Sequence, residues 1–299
     1  MAEITQRAGN WYFDGSVLRI VPGHGKGVHA LRTALGELTV PLEAVAGVSF
    51  EPGRKHDRLR LSLREGADPL TQATGGKLPA AADPYLLEVP HERADAAREL
   101  AAEIRAALET ERVPGTPTDH YLLPGPQTPI TLHASDGEAT FDGERIRIDW
   151  GWGADDIKKN SGARVIALGD LASVEWAPPR IENGFVRLHP KGAHSTSKPS
   201  HDPNCVVMWG WREVKDVTES ALFVAALTAA LPHPSTTGGA TAPTAPAVAE
   251  PLPRAADGDT GSEQDAVLRR LWELGELHDT GVLTDEEFGA AKKALLNRL

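Results

Sequence analysis

Four side chains of metal-ligating type fall in one stretch of the chain: His189, His194, His201 and Cys205. Imidazole and thiolate are the groups zinc prefers, but a structural zinc site needs them at short, regular intervals that let a turn converge on a tetrahedron. These four fit no common zinc spacing, and residues 195–200 read as an irregular loop between them. Cys205 opens the apolar run Cys-Val-Val-Met-Trp, where a buried, inert thiol is expected. Residues 279–288 have the acidic look of a calcium loop, yet Gly281 and Leu283 stand where that loop needs oxygen ligands. Gly23, Gly25 and Gly27, and Gly151 and Gly153, follow strand-like runs but precede no capped helix. A phosphate cradle would lack its helix dipole there, so hairpin or loop tips are expected. Asp155-Asp156 stands beside Lys158-Lys159 and reads as a solvated loop, not an acid–base couple. No G-x-S-x-G elbow, phosphate-binding P-loop or H-E-x-x-H pattern occurs. The expectation is a chain that is not an enzyme, with no catalytic residues, no metal and no cofactor.

Two other groups of residues suit binding. Trp150, Trp152, Trp209 and Trp211 form two W-x-W pairs, and in an extended segment both rings of a pair point to one face. Such rings either fill a core or form an aromatic surface for a partner, because tryptophan is enriched at interface hot spots. Arg54, Lys55 and Arg58, with His56 and Arg60, make the only sizeable basic run. They are a candidate anion or headgroup patch, or else a solvated strand edge.

The elements that would position these residues occur twice. Phe13-Asp14-Gly15 followed by Leu18-Arg19-Ile20 returns as Phe141-Asp142-Gly143 followed by Ile146-Arg147-Ile148. Residues 42–50 (LEAVAGVSF) return as 168–176 (LGDLASVEW), Arg58-Leu59-Arg60-Leu61 as Phe185-Val186-Arg187-Leu188, and Asp83-Pro84-Tyr85 as Asp202-Pro203-Asn204. Short alternating runs such as residues 17–21 predict half-buried strands, and the FDG, DP and PG dipeptides predict the turns between them. Each copy closes on a helical pattern. Residues 91–108 carry Ala97, Leu100, Ala101, Ile104, Ala107 and Leu108 on one face, and residues 217–231 carry Leu222, Phe223, Ala226, Leu227 and Ala230. The fold class expected is α+β: two tandem β-sandwich or partly open barrel domains, each plugged by its C-terminal helix.

These paired motifs resemble an actinobacterial domain family of unknown function, number 4429, commonly found in tandem and usually assigned a pleckstrin-homology-like (PH-like) fold. The resemblance covers roughly residues 9–110 and 137–232 and brings no catalytic residues with it. It implies PH-like domains at residues 9–112 and 130–232, and the prolines and glycines of residues 113–129 read as a linker between them.

Residues 233–262 are rich in Pro, Ala, Thr and Gly with scarcely a large apolar side chain, the composition of a flexible tether. Residues 263–299 then read as a helical hairpin. Val267, Leu268, Leu271, Trp272, Leu274 and Leu277 form one apolar stripe, Thr284 to Glu287 spells a capping box, and Phe288, Ala291 and Leu295 continue on a second helix after Leu283. The segment closely resembles the SHOCT domain, a short C-terminal module thought to mediate oligomerisation. Two such helices hold too little interior to be stable alone, with no cysteine or metal cluster to help. Leu268, Leu271, Trp272, Leu274, Leu277, Leu283, Phe288 and Leu295 are therefore expected to pack against other copies, against the chain's own domains or against another protein.

Charge narrows the partners. With 31 Lys and Arg against 42 Asp and Glu, the net charge of -11 repels phosphate backbones and anionic lipid, so neither nucleic acid nor a membrane surface is the expected partner. One cysteine and the lack of a long apolar run point to a cytoplasmic chain. The function expected is a homo-oligomeric scaffold that presents its tandem domains to other proteins. The alternative is a ligand- or membrane-surface-binding adaptor using the PH-like domains.

Overall fold

A computed structural model of the chain describes residues 2–25, 27–179, 183–192, 195–210 and 213–237, which belong to one compact unit. His194, Trp211, the tether from residue 238 onward and the whole hairpin at 263–299 lie outside the described residues.

The first repeat opens with an antiparallel sheet in the order β1 (Ala2–Gln6), β2 (Gly9–Phe13), β3 (Val17–Pro22) and β4 (Leu38–Pro41), with the short helix α1 (Ala30–Leu35) between β3 and β4. Strands β5 (Val45–Glu51), β6 (Asp57–Leu63) and β7 (Leu86–Val89) form a second antiparallel sheet, interrupted by α2 (Pro69–Thr74). Helix α3 (Ala94–Thr110) then lies against β1 of one sheet and β5 and β6 of the other. The second repeat follows the same order. Strands β8 (Ile130–His133), β9 (Gly137–Phe141), β10 (Arg145–Trp150) and β11 (Arg164–Ala167) form one sheet, with α4 (Asp156–Ser161) between the last two. Strands β12 (Leu171–Ala177), β13 (Gly184–Pro190) and β14 (Cys205–Met208) form the other, and α5 (Glu213–Ala230) packs against β8 and β12. The expected α+β class holds: two sheets and a closing helix per repeat, with no closed barrel among the described residues. Strand β1 pairs along all of β2, which extends the first sheet ahead of residue 9.

The repeated motifs now have physical reasons. In each FDG turn the aspartate Oδ1 accepts two backbone N–H groups, those of Ser16 and Val17 for Asp14 and of Glu144 and Arg145 for Asp142. The glycine beside it sits at φ 105° in one repeat and 106° in the other, a region costly for any side chain. Arg60 reaches Asp83 at 3.0 Å just as Arg187 reaches Asp202 at 3.2 Å. Alternation along β6 buries Leu59 and Leu61 and exposes Arg58 and Arg60, as a one-faced sheet requires.

The repeats are not independent. Leu31 of α1, Leu70 of α2 and Ala82 are buried in the core of the second repeat, with Phe223, Val224 and Leu227 of α5. Burying each leucine contributes about 2 kcal/mol. This second cover explains a departure from the one-faced helix expected at 217–231. Helix α5 is buried on more than one side, Val224 and Ala225 included, whereas Leu222 is half-buried and Ala230 exposed. Residues 113–129 are also strapped down. Thr118 N donates to Glu65 O (2.8 Å), Leu122 N and Leu123 N both donate to Ala67 O, and Leu123 enters the first core. Beyond α5, Ser235 Oγ donates to Asp119 O at 2.9 Å, and His233 stands against Gly66 O and the Tyr121 ring.

Candidate functional site

Strand β10 ends at Trp150, whose indole Nε1 donates to Gly162 O at 3.0 Å. The chain turns at Gly151, so Trp152 is carried off the strand and stands 77% exposed. The same-face geometry expected of an extended W-x-W segment is therefore absent from this pair. Instead Trp152 meets Trp209, at the end of β14, edge to face with ring centroids 6.1 Å apart and planes at 84°. Trp209 is held by its backbone N–H donating to Ser135 Oγ at 2.9 Å. Gly153 is a glycine of necessity, since a Cβ there would collide with the Ser135 carbonyl and crowd the Trp209 ring. One tryptophan from each motif thus meets the other at an edge of the second repeat.

Beneath this edge lies a buried ion pair. Reading residues 155–159 as a solvated loop is corrected here, because they begin α4. Asp155 caps that helix by accepting the Ile157 N–H at 2.9 Å, and Lys158 on its first turn is fully buried. Lys158 Nζ donates to Asp136 Oδ2 at 2.6 Å and to Cys205 O at 2.7 Å, and lies 5.0 Å from the Trp150 ring centre. Asp136 Oδ1 accepts the Val207 N–H. Burial pushes the Asp136 carboxyl up and Lys158 opposes that shift. In the first repeat Arg32 holds the corresponding place on α1, donating to Asp83 O and Leu86 O. A cation shared by both repeats and aimed at the same carbonyl of β7 and β14 ties helix to sheet. What hid Lys158 was its neighbours: Asp155, Asp156 and Lys159 make the segment look wet in sequence.

The remaining candidates scatter. His189 faces Glu175 at 3.3 Å and His201 faces Asp155 at 3.5 Å, and no metal-holding group of side chains occurs among the described residues. Cys205 is buried, which pushes its thiol up to about 12 and leaves no nucleophile at neutral pH. Arg54, Lys55 and Arg58 are exposed on and beside the β5–β6 turn. Arg58 stands in register between Glu51 of β5 and Glu88 of β7, cross-strand neighbours of opposite charge. No helix among the described residues is long and apolar enough to cross a membrane.

The family described as Domain of unknown function (DUF4429) matches the chain twice, over residues 11–105 and 139–228. Those segments run from β2 into α3 and from β9 into α5, leaving β1 and β8 outside the match. No curated protein matches the chain.

Proposed function

The chain belongs to the DUF4429 family, carrying its domain twice, and from that premise we propose that it is a non-enzymatic, cytoplasmic scaffold whose fused repeats present an aromatic edge to other proteins. The observation that carries this reading is Trp152, a large apolar side chain left 77% exposed and braced by Trp209. An exposed indole offers a large apolar area on only two rotatable side-chain bonds, so covering it with a partner costs little entropy. Four strands, then three, then a helix across both sheets, in each repeat, support a PH-like reading of the domains. The shared core, with Leu31 and Leu70 inside the second repeat, supports a single rigid platform. Residues 263–299, through their resemblance to SHOCT, supply self-association by Leu268, Leu271, Trp272, Leu274, Leu277, Leu283, Phe288 and Leu295. Multiplying one weak aromatic site on an oligomer raises avidity without any new contact.

The test is a photo-crosslinking residue at position 152 of the full chain in cells, beside one at the exposed Glu109 of α3. A discrete set of crosslinked proteins from position 152 alone supports the proposal. Equal or absent crosslinking at both positions contradicts it.

A further inference from the structure

A cavity of about 520 Å³ lies between the repeats, within the usual range for small-molecule sites. Its walls come from α1 and β4, from Asp68, Leu70 and Tyr85 of the first repeat, from residues 123–127, and from Ile130 and Leu222 of the second. The apolar part is provided by side chains such as Leu35, Leu123, Ile130 and Leu222. Its charged lining residues are Asp68 and Glu37, the latter 3.9 Å from Arg19, with no Lys, Arg or His in the lining itself.

Asp68 is the N-cap of α2, and it is buried. It is 4% exposed and accepts from Leu70 N (3.1 Å), Thr71 N (3.0 Å), Thr71 Oγ (2.7 Å) and Tyr85 Oη (2.9 Å). All four donors are neutral, and no cation pairs with Asp68 among the described residues, whereas the comparably buried Asp136 has Lys158. A buried carboxylate without a counter-ion is costly even when hydrogen-bonded. Burial accordingly pushes the Asp68 carboxyl up. Because the Tyr85 hydroxyl gives its proton to Asp68, its own lone pairs remain able to accept a donor from the cavity.

We propose that this cavity binds a small hydrophobic amine, an alkyl- or arylalkylammonium ion whose chain lies among Leu35, Leu123, Ile130 and Leu222 and whose ammonium group faces Asp68 and Tyr85. The apolar wall favours a hydrocarbon body, and the Asp68 carboxylate, hydrogen-bonded but facing no cation among the described residues, supplies an anion for the ammonium group and disfavours a carboxylate or phosphate beside it. The site needs both repeats, so it is a property of their fusion.

Isothermal titration of the full chain with hexylammonium, hexan-1-ol and hexanoate tests this directly. Hexylammonium is expected to bind at least about tenfold more tightly than the alcohol, with hexanoate not binding. Leu222→Trp, which fills the cavity from a half-buried position on α5, is expected to abolish amine binding while the protein still unfolds cooperatively. Asp68→Asn, where it folds, is expected to bring the amine down to the level of the alcohol. Absence of amine binding, equal binding of the alcohol or hexanoate, or amine binding that survives Leu222→Trp would overturn the proposal.

Discussion

Trp152 stands edge to face against Trp209, 6.1 Å between ring centres, although the two are separated by most of the second repeat in sequence. The contact depends on the turn at Gly151 and on Gly153, which lets the backbone pass under the Trp209 ring. Most of the Trp152 ring remains in solvent, so Trp152→Ala is expected to change stability by no more than about 0.5 kcal/mol in urea unfolding. A loss several times larger would mean that the ring belongs to the core and not to a binding edge.

Lys158 is a different kind of residue. Replacing it with methionine leaves Asp136 buried without its cation and Cys205 O without its donor. A destabilisation of about 3–5 kcal/mol is expected. Combining Lys158→Met with Asp136→Asn is expected to cost clearly less than the sum of the two single changes, since each alone strands its partner. Additive losses in the double-mutant cycle would show that the pair is uncoupled.

The two FDG turns predict the acid limb of the stability curve. Backbone N–H groups of Ser16 and Val17 hold the Asp14 carboxyl below the usual carboxylate range, and those of Glu144 and Arg145 do the same for Asp142. Folding favours the ionised form at both sites. Their contribution is therefore present above the unfolded-chain pKa and is lost as pH falls through the lowered folded values. Asp14→Ala and Asp142→Ala are each expected to lower the melting temperature at neutral pH and to flatten its loss on acidification. An unchanged acid limb in the double variant would contradict this.

Fusion of the repeats predicts their unfolding behaviour. Leu31→Ala in α1 is expected to cost about 2–5 kcal/mol, because it opens a void in the core of the other repeat. Calorimetry of the full chain is expected to show the two repeats melting in one transition. Two separate transitions, with Leu31→Ala shifting only the first, would show that the shared core does not couple them.

Much of this architecture was legible in the residues. The duplicated FDG turns, the alternation at 58–61 and the alanine-rich face of α3 rest on local chemistry, and local chemistry is what a sequence displays. The closing helix α5 was harder, since a helix covered on two sides by distant segments shows less of a one-faced pattern. The cover comes from α1 and α2 of the other repeat, a tertiary relationship with no periodicity of its own. Lys158 and Asp68 were invisible for a related reason, because burial of a charge depends on what packs over it. The cavity at Asp68 likewise exists only where the repeats meet. The proline-rich segment at 113–129 reads as a spacer by composition, yet backbone hydrogen bonds to Glu65 and Ala67 lay it along the first repeat.

The scaffold proposal requires self-association through residues 263–299, and light scattering measures that directly. The full chain and a version ending at residue 237 are compared over a range of concentrations. The full chain is expected to scatter as an oligomer and the shortened protein as a monomer with its melting transition intact. A full chain that stays monomeric throughout, or a shortened protein of the same subunit number, would contradict the account.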